Sequence, residues 1–491
     1  MDRHSPERPG GFIVLGEWAG ILPGCRGGGK GSICIRMSDR HKTKTSRHLA
    51  ILCLTAWDKE RQAIQPYIES LIHSSALAGS DRHLAVMMVQ GVLRQLQYLD
   101  YIIAGHAKHP LKKMKPLTLM TLRVGVYQLL FLDRVPDSAA VNETVKVMVE
   151  ERQPRWMVNF VNGVLRNIGR QKDTLPGPDQ AGEKDGTVLN HPEWLVHRWQ
   201  ERYGHEKTGQ ICRRNNREPV LVLRVNTRRC DAERLTGIFR KEGIAVRAGS
   251  YAPAALIVES HTGTVSGLPG YDQGFFHIQD EAAQLVTMLL GPFAGGGRHL
   301  DACAGLGGKT CQLAQLLPEE AEITAVEPNA HRFQLLQDNL KRLGLERKVR
   351  SFQGGVGDLA AHGPGLFHGI LVDAPCSGTG VMGRHPDIRW NRSLQDLLSY
   401  QQRQLEILRQ TVPLLRPGGV LVYATCSMEP EENEQVLDAF VTENPDFLPT
   451  NAADFLPGPA AGLVNQAGYF SPTPAEGLDG FFAARLVRAL R

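Results

Sequence analysis

From about His48 to Arg170 the apolar residues recur at spacings of three and four, as at Leu119, Leu122, Val126, Leu129 and Leu130. This is the period of an amphipathic helix, and it predicts an all-helical domain over residues 46–170. Residues 171–190, QKDTLPGPDQAGEKDGTVLN, crowd Pro, Gly, Asp and Lys together with few apolar residues, which is linker chemistry. Beyond them HPEWLVHRWQERYG reads as a capped amphipathic helix, VLVLRVN as a strand and DAERLTGIFRKEG as a second helix. Residues 191–273 are therefore expected to form a small α/β module. After Gly274 the pattern changes again. Short apolar strands (RHLDA, EITAVE, VRSFQ, FHGILVD, GGVLVYAT and GFFAARLV) alternate with longer helical segments through residue 491. Such alternation predicts a multidomain chain ending in a Rossmann-like α/β domain, a parallel sheet with helices on both faces. Ligands of such sheets bind beyond the carboxyl ends of the strands, near the point where strand order switches.

Composition narrows the class without naming a function. At 491 residues the chain is long for one core. A hydrophobic content of 42% with 22% charged residues is ordinary for globular domains. The longest apolar stretches, such as Val420 to Ala424, fall far short of the ~20 residues a membrane helix needs. A net charge of +5 is compatible with a nucleic-acid partner but does not require one. Nine scattered cysteines, an odd number, point to a reducing cytosol rather than a disulfide framework, and without a CxxC pair no metal site is expected. The first ~45 residues are rich in Gly, Arg and Lys, and Gly16 and Glu17 cut short the apolar patch Phe12 to Leu15, so a disordered tail is expected there rather than a secretory segment. Translation starting at Met37 would fit the same composition. Nothing calls for an obligate assembly, and a monomer is expected.

The chemistry lies just after the predicted strand ends. LDACAGLGGKT places Gly305, Gly307 and Gly308 between a strand and a helix, where glycines let the backbone approach a ligand and the helix N-terminus favours polar groups. Glu327 ends the next strand 20 residues after Gly307, where an acid can accept hydrogen bonds from both ribose hydroxyls of a nucleoside cofactor. Two cofactor classes fit, a dinucleotide or S-adenosylmethionine. GLGGKT lacks the third glycine of the dinucleotide fingerprint and the spacing of a Walker A loop, which favours the methyl donor. Cys303 and Cys311 read as small core residues.

Two further cysteines read differently. In ILVDAPCSGTGVMGRHPDIRW, Asp373 ends a strand and Cys376 follows in a Pro- and Gly-shaped loop; 50 residues on, Cys426 in YATCSMEPEENE ends another strand. Both thiols should face one crevice. Sulfur nucleophiles beside a methyl donor suit methylation of a pyrimidine at carbon 5, a carbon too weakly nucleophilic until a thiolate adds at carbon 6. Asp373 is placed to stabilise the developing enamine at ring nitrogen 3, and Lys309 is a nearby cation for thiol activation.

At these residues the chain resembles a known family. DACAGLGGKT, AVEPNAHR, VDAPCSGTGVMGRHPDIRW and YATCSMEPEENE are similar to successive motifs of the RNA cytosine-5 methyltransferases of the RsmB/NOP/Sun family, and FHIQDEAAQLV and GYFSPTPAEGLDGFFAARL to its flanking segments. The resemblance runs from about Trp194 to the end. It implies that Cys426 is the nucleophile and that Cys376 assists breakdown of the covalent adduct, with Asp373 and Lys309 flanking the cytosine. The loop Cys303, Ala304, Gly305, Leu306, Gly307, Gly308 and Lys309, together with Glu327, Arg332 and Asp373, would hold S-adenosylmethionine. RVPDSAAVNETVKVM and FVNGVLRNI resemble a NusB-like RNA-binding domain, which implies the branch of the family that acts on small-subunit (16S) ribosomal RNA, with residues 191–273 as an RNA-binding extension. Two departures stand out. Gly305 and Leu306 replace the family's Ala and Pro, and Gly355 in FQGGVGD occupies the place of an acid that contacts the adenine edge; Asp358, three residues late, is the candidate to take over that cofactor contact if the loop is remodelled, and otherwise weaker cofactor affinity is expected.

Two basic segments are candidates for RNA contact. HRFQLLQDNLKRLGLERKVR carries Arg332, Lys341, Arg342, Arg347, Lys348 and Arg350, a run more typical of a solvated helix face. GRHPDIRW combines Arg384, His385, Arg389 and Trp390 after the cysteine loop, and its cations and aromatic suit a base and its phosphates. Rival readings are a DNA cytosine methyltransferase with its nucleophile at Cys376, a transfer-RNA methyltransferase of the same family, and an RNA-binding or antitermination factor with a degenerate methyltransferase domain.

Overall fold

The structure, a computed structural model, describes residues 13–14, 45–181, 190–261, 263–293 and 295–490. Of the expected tail only β1 (Ile13–Val14), paired in parallel with β5 (Gly263–Thr264), and Thr45 are described; the rest of that expectation lies outside the described residues. Two compact units account for the chain. Among the described residues, one holds those from 219 to 381 and from 393 to 490 with 13–14; the other holds those from 45 to 218 and from 382 to 392. No helix among the described residues is long and apolar enough to cross a membrane.

The first unit contains two sheets. Strands β2 (Leu221–Val225), β3 (Val246–Ala248), β4 (Ala255–Val258) and β6 (Phe276–Ile278) pair antiparallel in the order β3-β4-β2-β6. Helix α9 (Ala232–Lys241) supplies Leu235 and Phe239 to the core beneath them, with Leu221, Leu223 and Phe276. The larger sheet has seven strands, β7 (Arg298–Asp301), β8 (Glu322–Val326), β9 (Val349–Phe352), β10 (Phe367–Asp373), β11 (Leu415–Thr425), β12 (Phe447–Thr450) and β13 (Phe482–Arg488), in the order β12-β13-β11-β10-β7-β8-β9. Five of them are parallel, and β13 and β12 close one edge antiparallel. This corrects the expectation of an all-parallel sheet. Parallel neighbours need a crossover laid over the sheet face, whereas β12 and β13 are joined by a stretch whose helices are single turns, Ala452–Phe455 and α16 (Gly458–Ala461). Leu300, Ile370, Val372, Leu421, Tyr423, Phe440 and Phe482 form the core, with helices α10 (Glu281–Met288), α11 (Gly308–Leu316), α12 (Ala330–Leu343), α13 (Val356–Ala361), α14 (Leu394–Thr411) and α15 (Glu434–Glu443) on this unit.

The second unit is helical: α1 (Ser46–Glu60), α2 (Gln65–His73), α3 (Gly79–Arg94), α4 (Leu96–His106), α5 (Pro116–Phe131), α6 (Asp137–Glu150), α7 (Arg155–Gln171) and α8 (Glu193–Asn216). Helix α5 is buried on every side from Met120 to Leu129, not on one face as its leucine spacing predicts, because helices α1, α3, α4, α6 and α7 all pack on it. Gly125 makes one of these approaches possible: a Cβ there would lie 2.7 Å from Leu165. Helix α8, expected to belong with the small α/β module, clusters with the helical unit and breaks at Gly204, where φ is 79°.

The segment 382–392 corrects a functional expectation. GRHPDIRW is not a displayed basic patch; it is a short turn, Pro386–Trp390, buried in the helical unit. The Arg389 guanidinium donates to the carbonyls of Arg94 (3.1 Å), Asn190 (2.9 Å) and Asn215, and to Asn216 Oδ1 (2.7 Å). The Trp390 indole donates to the Leu93 carbonyl at 2.7 Å, and Asp387 Oδ2 accepts from the Ile64 N–H at 3.0 Å. Burial pushes the His385 imidazole down to about 4 and the Arg389 guanidinium down to about 9, with the Arg94 charge adding to the latter. These groups staple the helical unit. Arg389→Ala should therefore lower unfolding free energy in urea by about 3 kcal/mol, by stranding buried carbonyls. An unchanged unfolding curve with weakened RNA binding would return Arg389 to the RNA-contact role.

Candidate active site

Strand β7 is the first of the parallel strands; β8 and β9 extend the sheet on one side of it and β10 and β11 on the other. The loops leaving β7 and β10 therefore diverge, and the crevice between them is where the chemistry-bearing residues collect. Beyond β7 the chain turns through Cys303, Ala304, Gly305, Leu306 and Gly307 into α11. Gly305 and Gly307 adopt left-handed φ values of 56° and 87°, which a side chain would strain. Gly307 also has no room for one, since a Cβ would lie 2.6 Å from Leu336. The departure at Leu306 is absorbed locally: its carbonyl accepts from the Asn339 amide at 3.1 Å, so α12 holds the loop where proline would have stiffened it.

Three acids approach this loop. Glu327, buried at the end of β8, accepts the Asn329 N–H at 2.7 Å and lies 4.0 Å from Arg332. Asp373, at the end of β10, pairs with the Lys309 ammonium at 2.6 Å, and that ammonium sits 5.0 Å over the Phe481 ring. Asp301 was not anticipated. It ends β7 fully buried, accepts from the Thr310 hydroxyl at 2.6 Å and the Cys303 N–H at 3.3 Å, and burial raises it to about 6. The only sequence signal for it is its place as the last strand residue of LDA. Burial, then the charges of Asp301, Asp373 and Glu327, hold the Cys303 thiol well above its ordinary range, so three strand ends converge on one sulfur that stays protonated. Asp358 is different. Exposed at the third position of α13, its carboxylate accepts the Gly355 N–H at 2.8 Å and caps its own helix. It lies 3.4 Å from where a Cβ on Gly355 would stand, so it hangs beside the place the missing acid would fill. Gly308 opens α11, and Cys311 is core, as expected.

The two predicted cysteines meet. β10 and β11 are adjacent, with Asp373 opposite Ala424, and Cys376 Sγ lies 3.1 Å from Cys426 Sγ. Both are buried, Cys376 at 1% exposure and Cys426 at 6%. The Gly380 N–H donates to the Cys426 carbonyl at 3.0 Å, which locks one loop to the other. The hydrogen bond to Cys426, then burial, then the charges of Cys426, Glu432 and Asp373 push the Cys376 thiol well up. The site therefore holds two thiols in contact beside a Lys–Asp pair. Of the basic run on α12 and after it, Arg342 is turned inward onto the carbonyls of Tyr271 (3.0 Å) and Phe276 (3.1 Å) and over the Tyr271 ring, and Lys348 onto those of Leu317 (2.8 Å) and Pro318 (2.9 Å). These two cations serve the fold.

The chain is similar to known proteins along most of its length. The sequence profile described as 16S rRNA methyltransferase RsmB/F matches residues 287–487, that of the NusB family residues 44–170, and that of an RsmF/B-like ferredoxin-like domain residues 191–264. The chain is 34% identical over 448 residues to a protein of Bacillus subtilis named probable ribosomal RNA small subunit methyltransferase B, covering 89% of this chain and 98% of that one. It is 36% identical over 414 residues to ribosomal RNA small subunit methyltransferase B of Salmonella typhi, covering 84% and 92%. Among solved structures, a methyltransferase homologue from Pyrococcus horikoshii matches with a TM-score of 0.51 at 26% identity, over 61% of this chain and 95% of that one. NSun6 from the same organism, solved with SFG, shares the fold with a TM-score of 0.54 at 23% identity, over 62% and 100%. With a NusB-like helical domain in front and a Rossmann-like domain behind, this chain belongs to the RsmB/F family of 16S ribosomal RNA methyltransferases.

Proposed function

We propose that this protein transfers a methyl group from S-adenosylmethionine to carbon 5 of a cytosine in small-subunit ribosomal RNA, with Cys426 as the nucleophile. The observation that carries this reading is the thiol pair 3.1 Å apart, at the ends of neighbouring strands and on the sheet edge that bears the glycine loop. One sulfur would suffice for packing. Two at that spacing, beside a Lys–Asp pair, suit a reaction in which one thiol adds to a ring and the other handles a proton. The names of the Bacillus and Salmonella relatives supply the substrate.

In this reading the loop from Cys303 to Lys309 and the Glu327 carboxylate hold the cofactor, with Arg332 and Asp373 close by. The bound S-adenosylmethionine supplies the methyl group as an electrophile. The Cys426 thiolate adds to carbon 6 of the cytosine, which makes carbon 5 nucleophilic. The Asp373–Lys309 pair answers charge that develops on the ring at nitrogen 3. When a solvent water takes the carbon-5 proton, the bond from carbon 6 to the Cys426 sulfur breaks, and Cys376, held protonated, faces the departing thiolate. The target base has to leave its stack to reach a thiol with 6% exposure, so a flipped or single-stranded cytosine is the substrate. Free thiols of this kind belong in a reducing cytoplasm.

The reading of a degenerate methyltransferase loses ground because the departure at Leu306 is accommodated by Asn339. The test is 5-methylcytidine measured by mass spectrometry after incubating unmodified small-subunit ribosomal RNA, or bulk transfer RNA, with S-adenosylmethionine. Wild type should methylate the ribosomal RNA, Cys426→Ala should lose at least about 100-fold in rate, and Cys376→Ala should leave RNA attached to protein. Full activity in Cys426→Ala with none in Cys376→Ala would assign the nucleophile as in the DNA enzymes, and methylation of transfer RNA alone would change the substrate.

Cofactor affinity separates the two acids at the cofactor end. Glu327→Ala should weaken S-adenosylmethionine binding in a calorimetric titration at least about tenfold, the loss of hydrogen bonds to a charged group. Asp358→Ala should weaken it less than about threefold, because its carboxylate is engaged by its own helix. Equal losses would contradict this division.

A further inference from the structure

The PEENE stretch behind Cys426 contains a carboxylate that the reaction does not use. Glu432 ends the short turn Pro430–Glu432 and is fully buried, at 0% exposure. Its carboxylate accepts from the Ser377 N–H at 2.7 Å, from the Ser377 hydroxyl, from the Ser427 hydroxyl at 2.5 Å and from the Gln404 amide at 3.2 Å. Ser377 is the residue after Cys376, and Ser427 the residue after Cys426. One carboxylate thus grips the next residue of each cysteine loop. Other bonds reinforce the bracket: Gln404 also donates to the Pro375 carbonyl at 2.9 Å, Tyr423 to the Glu432 carbonyl at 2.6 Å, and the Met428 N–H to Thr379 Oγ1 at 2.9 Å.

A buried carboxylate without a cation is costly, and a packing role alone would be met as well by a neutral side chain. The donors around Glu432 are neutral hydroxyls, an amide and a backbone N–H, so whenever the carboxyl is ionised the bracket holds an unneutralised negative charge beside the thiols. The titratable groups that face it are Glu429 from its own turn, Cys376 from the β10 loop and Tyr423 from β11. Each of these is a potential anion, so a second negative charge in this pocket is disfavoured.

We propose that Glu432 is a positioning residue of the cysteine pair: it sets the spacing of the two catalytic loops, and its charge keeps the proton on Cys376. This rests on the reading above that Cys426 is the nucleophile and Cys376 its partner. A protonated Cys376 can donate to the Cys426 sulfur 3.1 Å away, and behind that hydrogen bond and burial the Glu432 charge adds to the hold on its proton from a residue that touches neither substrate nor cofactor. Burial raises the Glu432 carboxyl to about 7, so the bias operates above that pH, where the group is ionised, and fades below it.

The experiment compares wild type, Glu432→Gln and Glu432→Asp in the full chain, without RNA or cofactor. The rates of iodoacetamide alkylation of Cys376 and Cys426 are followed separately by peptide mass spectrometry across a pH series, alongside thermal unfolding. Greater access to the site raises a rate equally at all pH values, whereas loss of a charge moves the midpoint of the profile. Glu432→Gln should move the Cys376 midpoint to lower pH and speed its alkylation at least about threefold above pH 7, and Glu432→Asp, which keeps the charge, should retain the wild-type midpoint. Methyl transfer should fall in both variants through kcat rather than KM. An unmoved Cys376 midpoint in a folded Glu432→Gln overturns the proposal. Should that variant unfold, Ser427→Ala decides: it removes one tie but leaves the charge, so slowed methylation with an unmoved Cys376 midpoint supports the bracket, and unchanged methylation overturns it. Because alkylation needs no turnover, a failure of the nucleophile assignment would show instead as an active Cys426→Ala.

Discussion

The reversal of strand order between β7 and β10 is the constraint on which the rest depends. Parallel strands end at the same edge of the sheet: Leu371 of β10 lies opposite Asp301 of β7, and Asp373 opposite Ala424 of β11. Three neighbouring strands therefore deliver three loops to one edge, and the reversal spreads two of them apart. The glycine loop and Glu327 fall on one side of the opening, and the cysteine loops on the other. No local feature of either loop would make a site alone. Cys303, Asp301, Glu327 and Asp373 come together only because β7, β8 and β10 share that edge.

The second half of the site is held by polar groups that water does not reach. Ser377, Thr379, Thr425, Ser427, Glu432 and Asn433 are all buried, and each is bonded to another member or to the backbone. Such a network is expensive unless complete, and when complete it allows one arrangement only. That suits a site where two sulfurs must be held at a fixed spacing.

Much of this was legible in the sequence because strand ends announce themselves. Apolar runs broken by Asp373, Cys426 and Glu327 marked strand ends that the structure brings to one edge of the sheet, and the six strands expected after Gly274 are all present. What was not legible was decided by distant partners. The antiparallel edge depends on how β12 and β13 are connected, and β12 has too little apolar character, in Phe447 and Leu448, to declare itself. Arg384, His385, Arg389 and Trp390 have the composition of a nucleic-acid contact, yet the carbonyls that Arg389 satisfies belong to residues 94, 190 and 215. Cations and aromatics look alike in sequence whether they meet phosphates or buried carbonyls. Leu129 and its neighbours gave the helix but not its burial on all sides, since period reports one face and α5 has no exposed one between Met120 and Leu129. Asp301 and Glu432 were missed because nothing distinguishes a buried acid from a solvated one until its donors are known.

The central claim is that Cys426 forms the covalent bond to the base. The most direct measurement uses small-subunit ribosomal RNA transcribed with 5-fluorocytidine, S-adenosylmethionine and wild-type protein, followed by digestion and mass spectrometry of the nucleotide-bearing peptide. Fluorine at carbon 5 cannot leave as a proton does, so the adduct persists after methyl transfer. The account predicts a methylated fluorocytidine linked to the peptide containing Cys426. Linkage to the peptide containing Cys376, or methylation without any protein adduct, would contradict it.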